Sequence, residues 1–433
     1  MKKVSFLTLG CKVNQYETEA MMELFSNRNY EVVSQGDKSD VFVINTCTVT
    51  NLSDRKSRQA ISKVKKLNPK AIIAMVGCYV QVKPEEVADI EGVNVVLGTN
   101  NKSQIVDACE KAMEEKILVN RVDDIKNDKD FEDLNISNQS EMTRAYIKIQ
   151  EGCNQYCSYC IIPFARGPVR SRELKSIKEE ALRLVNSGYK EIVLTGIHVA
   201  SYGKDFKSHL SLVDVIEEIS KIKNLQRIRL SSVEPRLITE EFLQRVKATN
   251  KFCDHFHLSL QNGSNKILQA MNRKYSVEEY ENKVKLIKDY FPTAGITTDI
   301  IVGFPGETDE DFAQTVDFVR KIGFSKVHIF KYSPREGTVA ARMKNQVPGT
   351  IKKERSNKLF EVCEEVSNAE KMNQLGKTFE VLFESKSDHP GFVAGYATNY
   401  TRVNVPETQD LINHIEKVEF KNVQNGEVFG IIV

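Results

Sequence analysis

Twice along this chain, short apolar runs alternate with apolar residues at three- and four-residue steps, a pattern that few architectures accept. The first series has runs at Val4–Leu9, Val41–Ile44, Ala71–Val76 and Val93–Leu97, with helical spacing between them at Thr18–Phe25, Lys56–Val64 and Pro84–Ile90. Strand–helix alternation predicts a small parallel α/β sheet over residues 1–120. A longer series begins at Arg144, with strands predicted at Ala145–Ile149, Glu191–Leu194, Arg227–Leu230, His255–Leu260, Thr297–Ile301 and Lys326–Lys331. Six repeats suit an open or partial TIM-type (β/α)6 barrel, which carries its chemistry at strand carboxyl ends. A helical pattern from Lys352 to Leu375 closes this region. Short alternating segments then follow at Phe379–Phe383, Phe392–Tyr396, Thr401–Val405, Lys417–Phe420 and Val428–Ile432. These predict a small antiparallel β-barrel of OB-like size. Residues 121–141 are polar and acid-rich without periodicity and read as a linker. The expected fold class is α/β multidomain, with domains at 1–120, 142–371 and 372–433.

A length of 433 residues agrees with two or three domains. Net charge of +2 and a pI near 7.9 exclude a globally basic nucleic-acid binder but leave room for a local basic cleft. No apolar run approaches the roughly 18 residues of a membrane span. The start, Met1 to Cys11, imitates a lipoprotein signal, but Ser5 and Thr8 break its apolar stretch. It reads instead as a first strand, and the protein as cytoplasmic with no membrane partner.

The nine cysteines are an odd number, and three of them, Cys153, Cys157 and Cys160, crowd one loop after the first strand of the second series. In a large cytosolic chain this favours metal binding over disulfides. A [4Fe–4S] cluster normally takes four Cys ligands, so three leave one iron open for an exogenous ligand. Zinc is the rival, but zinc knuckles usually come in pairs or add His, and no His lies between residues 100 and 190. Cys11, Cys47 and Cys78 follow the first three strands of the N-terminal series. Loops leaving the carboxyl ends of parallel strands converge on one edge, so these three cysteines are expected to be neighbours and to form a second metal site. Taken singly, each would be an ordinary small buried hydrophobe.

Other motifs admit two readings. Thr195 and Gly196 end a strand, as a ligand-facing turn or simply a tight one. His198, beside apolar residues, is more often a packed histidine than a ligand. Ser231, Ser232 and Glu234 can bond a ribose or cap the next element. His257, Ser259 and Gln261 share one face of their strand, opposite Phe256, Leu258 and Leu260, which favours a polar cavity. Gly303 and Pro305 form a turn before the helix start Thr308–Asp311, with neither a Walker pattern nor GxGxxG. Arg166, Arg170 and Arg172 form either a solvated face or a polyanion site. The C-terminal segment from Met372 has five Lys/Arg against eight Asp/Glu, so RNA binding there requires a local face with Tyr396, Tyr400 and Arg402.

The CxxxCxxC run resembles the signature of radical S-adenosylmethionine (SAM) enzymes. With Leu9-Gly-Cys-Lys-Val-Asn-Gln-Tyr-Glu-Thr-Glu19, Asn45-Thr-Cys47, Val76-Gly-Cys-Tyr79, Cys160-Ile-Ile-Pro163 and Ala165-Arg-Gly-Pro-Val-Arg-Ser-Arg172, essentially the whole chain resembles the radical SAM methylthiotransferases. The opening motif is most similar to their MtaB branch. The resemblance implies two [4Fe–4S] clusters, one on Cys153, Cys157 and Cys160 and an auxiliary one on Cys11, Cys47 and Cys78. The first cleaves SAM to a 5′-deoxyadenosyl radical that removes hydrogen from adenine C2; the second delivers methylthio. Leu194–Val199, Ser231–Glu234, His257–Gln261 and Gly303–Glu307 would line the SAM pocket, with Thr195, Gly196, Ser232, Glu234, Gln261, Gly303 and Pro305 as contacts. The barrel at 372–433 would be an RNA-binding TRAM barrel. Arg166, Arg170 and Arg172 would meet the substrate, tRNA carrying threonylcarbamoyladenosine at position 37. Lys12, Asn14 and Gln15 would suit its polar threonylcarbamoyl group. An electron donor such as flavodoxin or ferredoxin and a sulfur donor complete the implied partners. Sister branches act on isopentenyladenosine in tRNA or on a ribosomal protein. A metal-stabilised tRNA-binding protein and an iron–sulfur electron carrier are the readings from other classes.

Overall fold

The computed structural model describes residues 1–48, 51–137, 143–408 and 410–433, with the side chains of 51–55 left aside. The last part of the expected linker, 138–141, therefore lies outside the described residues.

The N-terminal sheet is built from β1 (Lys2–Thr8), β2 (Tyr30–Val32), β3 (Val41–Thr46), β4 (Ile72–Gly77), β5 (Val95–Leu97) and β6 (Val119–Arg121). It is wholly parallel, in the order β2-β1-β3-β4-β5-β6. Helices α1 (Lys12–Asn27), α2 (Asn51–Leu67), α3 (Cys78–Val82), α4 (Pro84–Ala88) and α5 (Ile105–Glu115) connect the strands. Two separate apolar clusters form, one holding Val41, Val43, Ala74 and Val76 and the other Phe42, Ile44, Ile73 and Met75. Alternate residues of each strand thus feed opposite faces, which is why the runs are continuously apolar. Strands β2 and β6 were not expected; each has three residues, too few for periodicity to register.

The second region contains β7 (Arg144–Glu151), α6 (Ile162–Arg166), β8 (Arg170–Ser171), α7 (Leu174–Asn186), β9 (Glu191–Gly196), α8 (Leu212–Ser220), β10 (Arg227–Leu230), α9 (Glu240–Ala248) and β11 (His255–His257). It continues with α10 (Asn265–Ala270), α11 (Val277–Tyr290), β12 (Gly295–Val302), α12 (Asp309–Ile322), β13 (Lys326–Lys331) and α13 (Gly349–Met372). Two sheets, β10-β9-β7-β8 and β11-β12-β13, are stitched by single bridges Ile228↔Phe252 and Val233↔Leu258. The result is a partial barrel around one large core. Two details differ from the sequence reading. The fourth strand stops at His257 rather than Leu260, because the Thr298 hydroxyl takes the Leu260 N–H at 2.9 Å and Gln261 turns to φ +78°. The two-residue β8 folds back antiparallel on the end of β7, pairing Gln150 with Ser171 and Glu151 with Arg170.

The C-terminal strands β14 (Thr378–Lys386), β15 (Phe392–Ala397), β16 (Arg402–Pro406), β17 (Ile415–Gln424) and β18 (Glu427–Ile432) close into a barrel ordered β14-β15-β16-β18-β17. The closing pair β16–β18 is parallel, in a barrel otherwise antiparallel. The segment before β7 does more than connect. Leu134 and Ile136 are buried against Tyr16 and Ala20 of α1. No helix among the described residues is long and apolar enough to cross a membrane.

Candidate iron–sulfur centres and the cavities between them

Cys11 precedes the first turn of α1, Cys47 follows β3, and Cys78 opens α3 directly after β4. Parallel pairing thus gathers three cysteines 36 and 31 residues apart at one sheet edge. Cys47 and Cys78 are buried while Cys11 is exposed, so the set opens on its Cys11 side. The turn into Cys11 requires Gly10: its φ is +112°, and a Cβ there would lie 2.8 Å from Cys47 Cβ. Asn14 braces this edge, donating to the Leu9 and Thr46 carbonyls at 2.7 and 2.9 Å.

Cys153, Cys157 and Cys160 ride the loop leaving β7, all part-buried. Gly152 places that loop against the returning chain: its φ is +69°, and a Cβ would come within 1.8 Å of the Pro168 carbonyl oxygen. None of the nine cysteines is in a disulfide. Burial pushes the Cys153 thiol up to about 11, and the Cys78 and Cys160 thiols up to about 12. A metal bound by these sulfurs must therefore displace protons.

Two guanidinium groups are aimed at sulfur. Arg166 Nε donates to Cys78 Sγ at 3.1 Å, and Arg273 Nη1 donates to Cys157 Sγ at 3.2 Å. Cationic donors of this kind suit sulfur that carries negative charge, as a metal-bound thiolate does. No group of His, Cys, Asp or Glu among the described residues converges on a point for one ion. A cluster asks for a different arrangement, since each thiolate binds its own iron and the sulfurs ring the cube. The donor sets fit such a group.

A cavity of about 720 Å³ lies over Cys11. Lys12, Gln15, Tyr146, Ser232, His257 and Tyr400 are among its walls, so all three regions of the chain contribute. A smaller one of about 250 Å³ adjoins Cys160, with Tyr159, Gln261 and Tyr332. The two share Asp299 and Phe330 as walls, so the open sides of the two cysteine sets face adjoining spaces. Lys12 Nζ sits 4.7 Å from the Tyr146 ring centre and 3.3 Å from Gln15 Oε1. His257 pairs with Asp299 at 3.1 Å. Burial pushes His255 and His328 below the usual imidazole range, which keeps both rings neutral.

Gln261 and Ser232 stand on cavity walls, Gln261 beyond the end of β11 and so not through strand alternation. Glu234 is buried, taking hydrogen bonds from Gln155 at 3.4 Å and Arg236 at 2.9 Å, with His198 3.4 Å away. That ties it to the cysteine loop. Thr195 is buried within β9, and Gly196 packs on Gln150, 2.9 Å from that carbonyl oxygen for an added Cβ. Gly303 and Pro305 are enclosed. A Cβ on Gly303 would come 2.3 Å from Lys352 Cγ, and its N–H donates to Glu307 at 2.6 Å.

The expectation that Arg166, Arg170 and Arg172 meet tRNA phosphates is overturned by burial. All three are at most 1% exposed and already paired. Arg166 holds Glu17 and Glu151, Arg170 holds Asp128 at 2.8 Å, and Arg172 holds Glu180 and Asp133. Asn14, too, is buried and committed to backbone and to Arg166, which leaves it out of reach of a substrate, contrary to expectation. Tyr396 and Tyr400 turn inward: they stack on each other at 4.9 Å, Tyr400 stacks on His255 at 4.6 Å, and Arg144 lies over both rings. Sequence reasoning missed Arg273, Arg144 and the carboxylates of Glu17 and Glu151. The available signal was Lys148 flanked by Ile147 and Ile149, with Glu151 at the end of the same strand.

Residues 147–319 match the Radical SAM superfamily, and residues 3–98 match Uncharacterized protein family UPF0004. The chain is 40% identical over 423 residues to the threonylcarbamoyladenosine tRNA methylthiotransferase MtaB of Bacillus subtilis (strain 168), covering 97% of this chain and 94% of that one. It is 43% identical over 360 residues to the protein of the same name from Aquifex aeolicus (strain VF5), covering 83% and 87%. It is also 36% identical over 445 residues to the tRNA-2-methylthio-N(6)-dimethylallyladenosine synthase of Alkaliphilus oremlandii (strain OhILAs), covering 99% and 93%. Among solved structures, the radical SAM methyltransferase TsrM from Kitasatospora setae aligns with a TM-score of 0.56 at 15% identity, over 77% of this chain and 76% of that one. That likeness concerns the fold.

Proposed function

The chain belongs to the radical SAM methylthiotransferases, and from that premise we propose that it methylthiolates C2 of N6-threonylcarbamoyladenosine at position 37 of tRNA. In this reading Cys153, Cys157 and Cys160 hold one [4Fe–4S] cluster and Cys11, Cys47 and Cys78 the other. Bound there, the clusters and SAM supply one-electron chemistry and a transferable methylthio group that side chains lack. SAM would be held in the space beside Cys160, which Gln261 and Tyr159 line. An electron donor and a sulfur donor act from outside, and the tRNA substrate puts the reaction in the cytoplasm.

The cavity over Cys11 carries the proposal, because one space meets the open side of the auxiliary set, the barrel lumen and the C-terminal barrel. Tyr400 and the neutral His255, stacked on one another, form part of the wall that a base flipped out of its strand would meet. The threonylcarbamoyl group brings a carboxylate, a hydroxyl and a urea. Lys12 and Gln15 supply a cation and an amide on the wall beside Cys11. An isopentenyl group needs neither and is better served by an apolar wall. Complementation of strains lacking each branch tests this. Recovery of the 2-methylthio-threonylcarbamoyl nucleoside in tRNA hydrolysates is expected. Recovery of 2-methylthio-isopentenyladenosine alone overturns the substrate assignment.

A further inference from the structure

Arg166 joins the two cysteine sites through a single guanidinium. It stands at the end of α6, six residues after Cys160, and is fully buried. Its Nε donates to Cys78 Sγ at 3.1 Å. Nη1 donates to Glu17 at 2.7 Å and to both Glu151 oxygens at 3.0 and 3.1 Å. Nη2 donates to Asn14 at 2.7 Å and to Glu17 at 3.1 Å. Glu17 belongs to the helix that Cys11 starts, and Glu151 lies two residues before Cys153. Lys148 bridges the same two carboxylates at 3.0 Å each, so the fork cannot swing away from the sulfur.

We propose that Arg166 is a positioning residue that sets the reduction potential of the auxiliary centre and fixes its place relative to the radical-generating loop. The proposal rests on the reading that Cys11, Cys47 and Cys78 hold an iron–sulfur cluster. Reduction adds one electron to a cluster, and the added negative charge delocalises onto its sulfurs. A hydrogen bond to a ligand sulfur, and a fixed positive charge beside it, stabilise that reduced state and raise the potential. Burial strengthens both effects, since little water competes for the sulfur. Arg166 thus keeps the auxiliary centre easier to reduce than Cys11, Cys47 and Cys78 alone would make it. Through Glu151 the same guanidinium holds the start of the Cys153 loop in register with Cys78.

The test uses full-length protein carrying Cys153→Ala, Cys157→Ala and Cys160→Ala, reconstituted anaerobically so that iron resides at the auxiliary site alone. Redox titration followed by electron paramagnetic resonance compares Arg166 with Arg166→Lys, which keeps the charge but loses the bond from Nε. The expected result is a shift to more negative potential, at least a tenfold change in the reduced-to-oxidised ratio at fixed poise, or about 59 mV for one electron. Arg166→Met should shift it further. Should Met fail to fold, a second measurement needs no variant at that position: protein labelled with 15N-arginine should show nitrogen hyperfine coupling to the reduced cluster. Iron retained with an unchanged potential in Arg166→Lys, or no 15N coupling, overturns the proposal for Arg166 alone. Loss of all iron from the triple-Ala background overturns the auxiliary cluster itself, and the proposal with it.

Discussion

Arg172 shows how a basic residue can be misread from sequence. Its side chain is 1% exposed, bound to Glu180 within α7 and to Asp133 of the preceding segment, while Tyr16 adds a hydrogen bond to Glu180 at 3.0 Å. Arg166, Arg170 and Arg172 looked like a phosphate site because three positive charges fell within seven residues. Their acidic partners lie 8 to 149 residues away in the chain, at separations that no local pattern reveals. Arg172→Met should lower unfolding stability by about 3 kcal/mol, because it strands a buried carboxylate. Urea denaturation measures that loss. The salt dependence of tRNA binding should keep its slope, since no phosphate contact is removed. The placement of the six cysteines, by contrast, was legible, because loop spacing or strand-end position marked each of them.

At the scale of elements, periodicity located most strands, and β10 and β13 match their expected bounds residue for residue. It failed where tertiary contacts decide the outcome: the three-residue edge strands, β8, and the early end of β11. Helix starts were better marked. Thr308 caps α12, accepting from the Asp311 N–H at 3.2 Å, while Asp311 accepts from the Thr308 N–H at 3.0 Å. Burial pushes the Asp311 carboxyl up, but hydrogen bonds from Lys266, the Thr308 amide, Ser264 and the Thr308 hydroxyl overcome this and hold it at about 2. The folded value lies below the unfolded one of about 3.9, so the stabilisation is present above that pH and is lost as pH falls through 2. Asp311→Asn should therefore cost on the order of 2 kcal/mol at pH 6 and little at pH 2. Parallel denaturant titrations of wild type and variant at the two pH values check it. An equal difference at both would mean that the cap, not the charge, carries the effect.

Across the whole molecule, the proposed function depends on where three regions meet, and this was the least legible part of the sequence. The C-terminal barrel docks through Arg144, which binds Glu384 at 2.7 Å, and through Arg229, whose guanidinium lies 4.7 Å over the Tyr400 ring and donates to the Thr398 carbonyl at 2.9 Å. The N-terminal sheet docks through α1 and α3, and α3 packs on the helix that follows the cysteine loop. These contacts enclose the cavity over Cys11, yet each involves residues that read locally as ordinary strand or turn positions. Strand-end placement could predict that each cysteine set gathers; it could not predict that both sets open into adjoining spaces. In the proposed reading both sets serve one reaction on one base. The most direct measurement incubates anaerobically reconstituted protein with a reductant, SAM and tRNA bearing threonylcarbamoyladenosine 37, then analyses the nucleosides by mass spectrometry. The wild type should yield 2-methylthio-N6-threonylcarbamoyladenosine, and Cys11→Ala and Cys157→Ala none. Methylthio product from either variant at wild-type yield would contradict it.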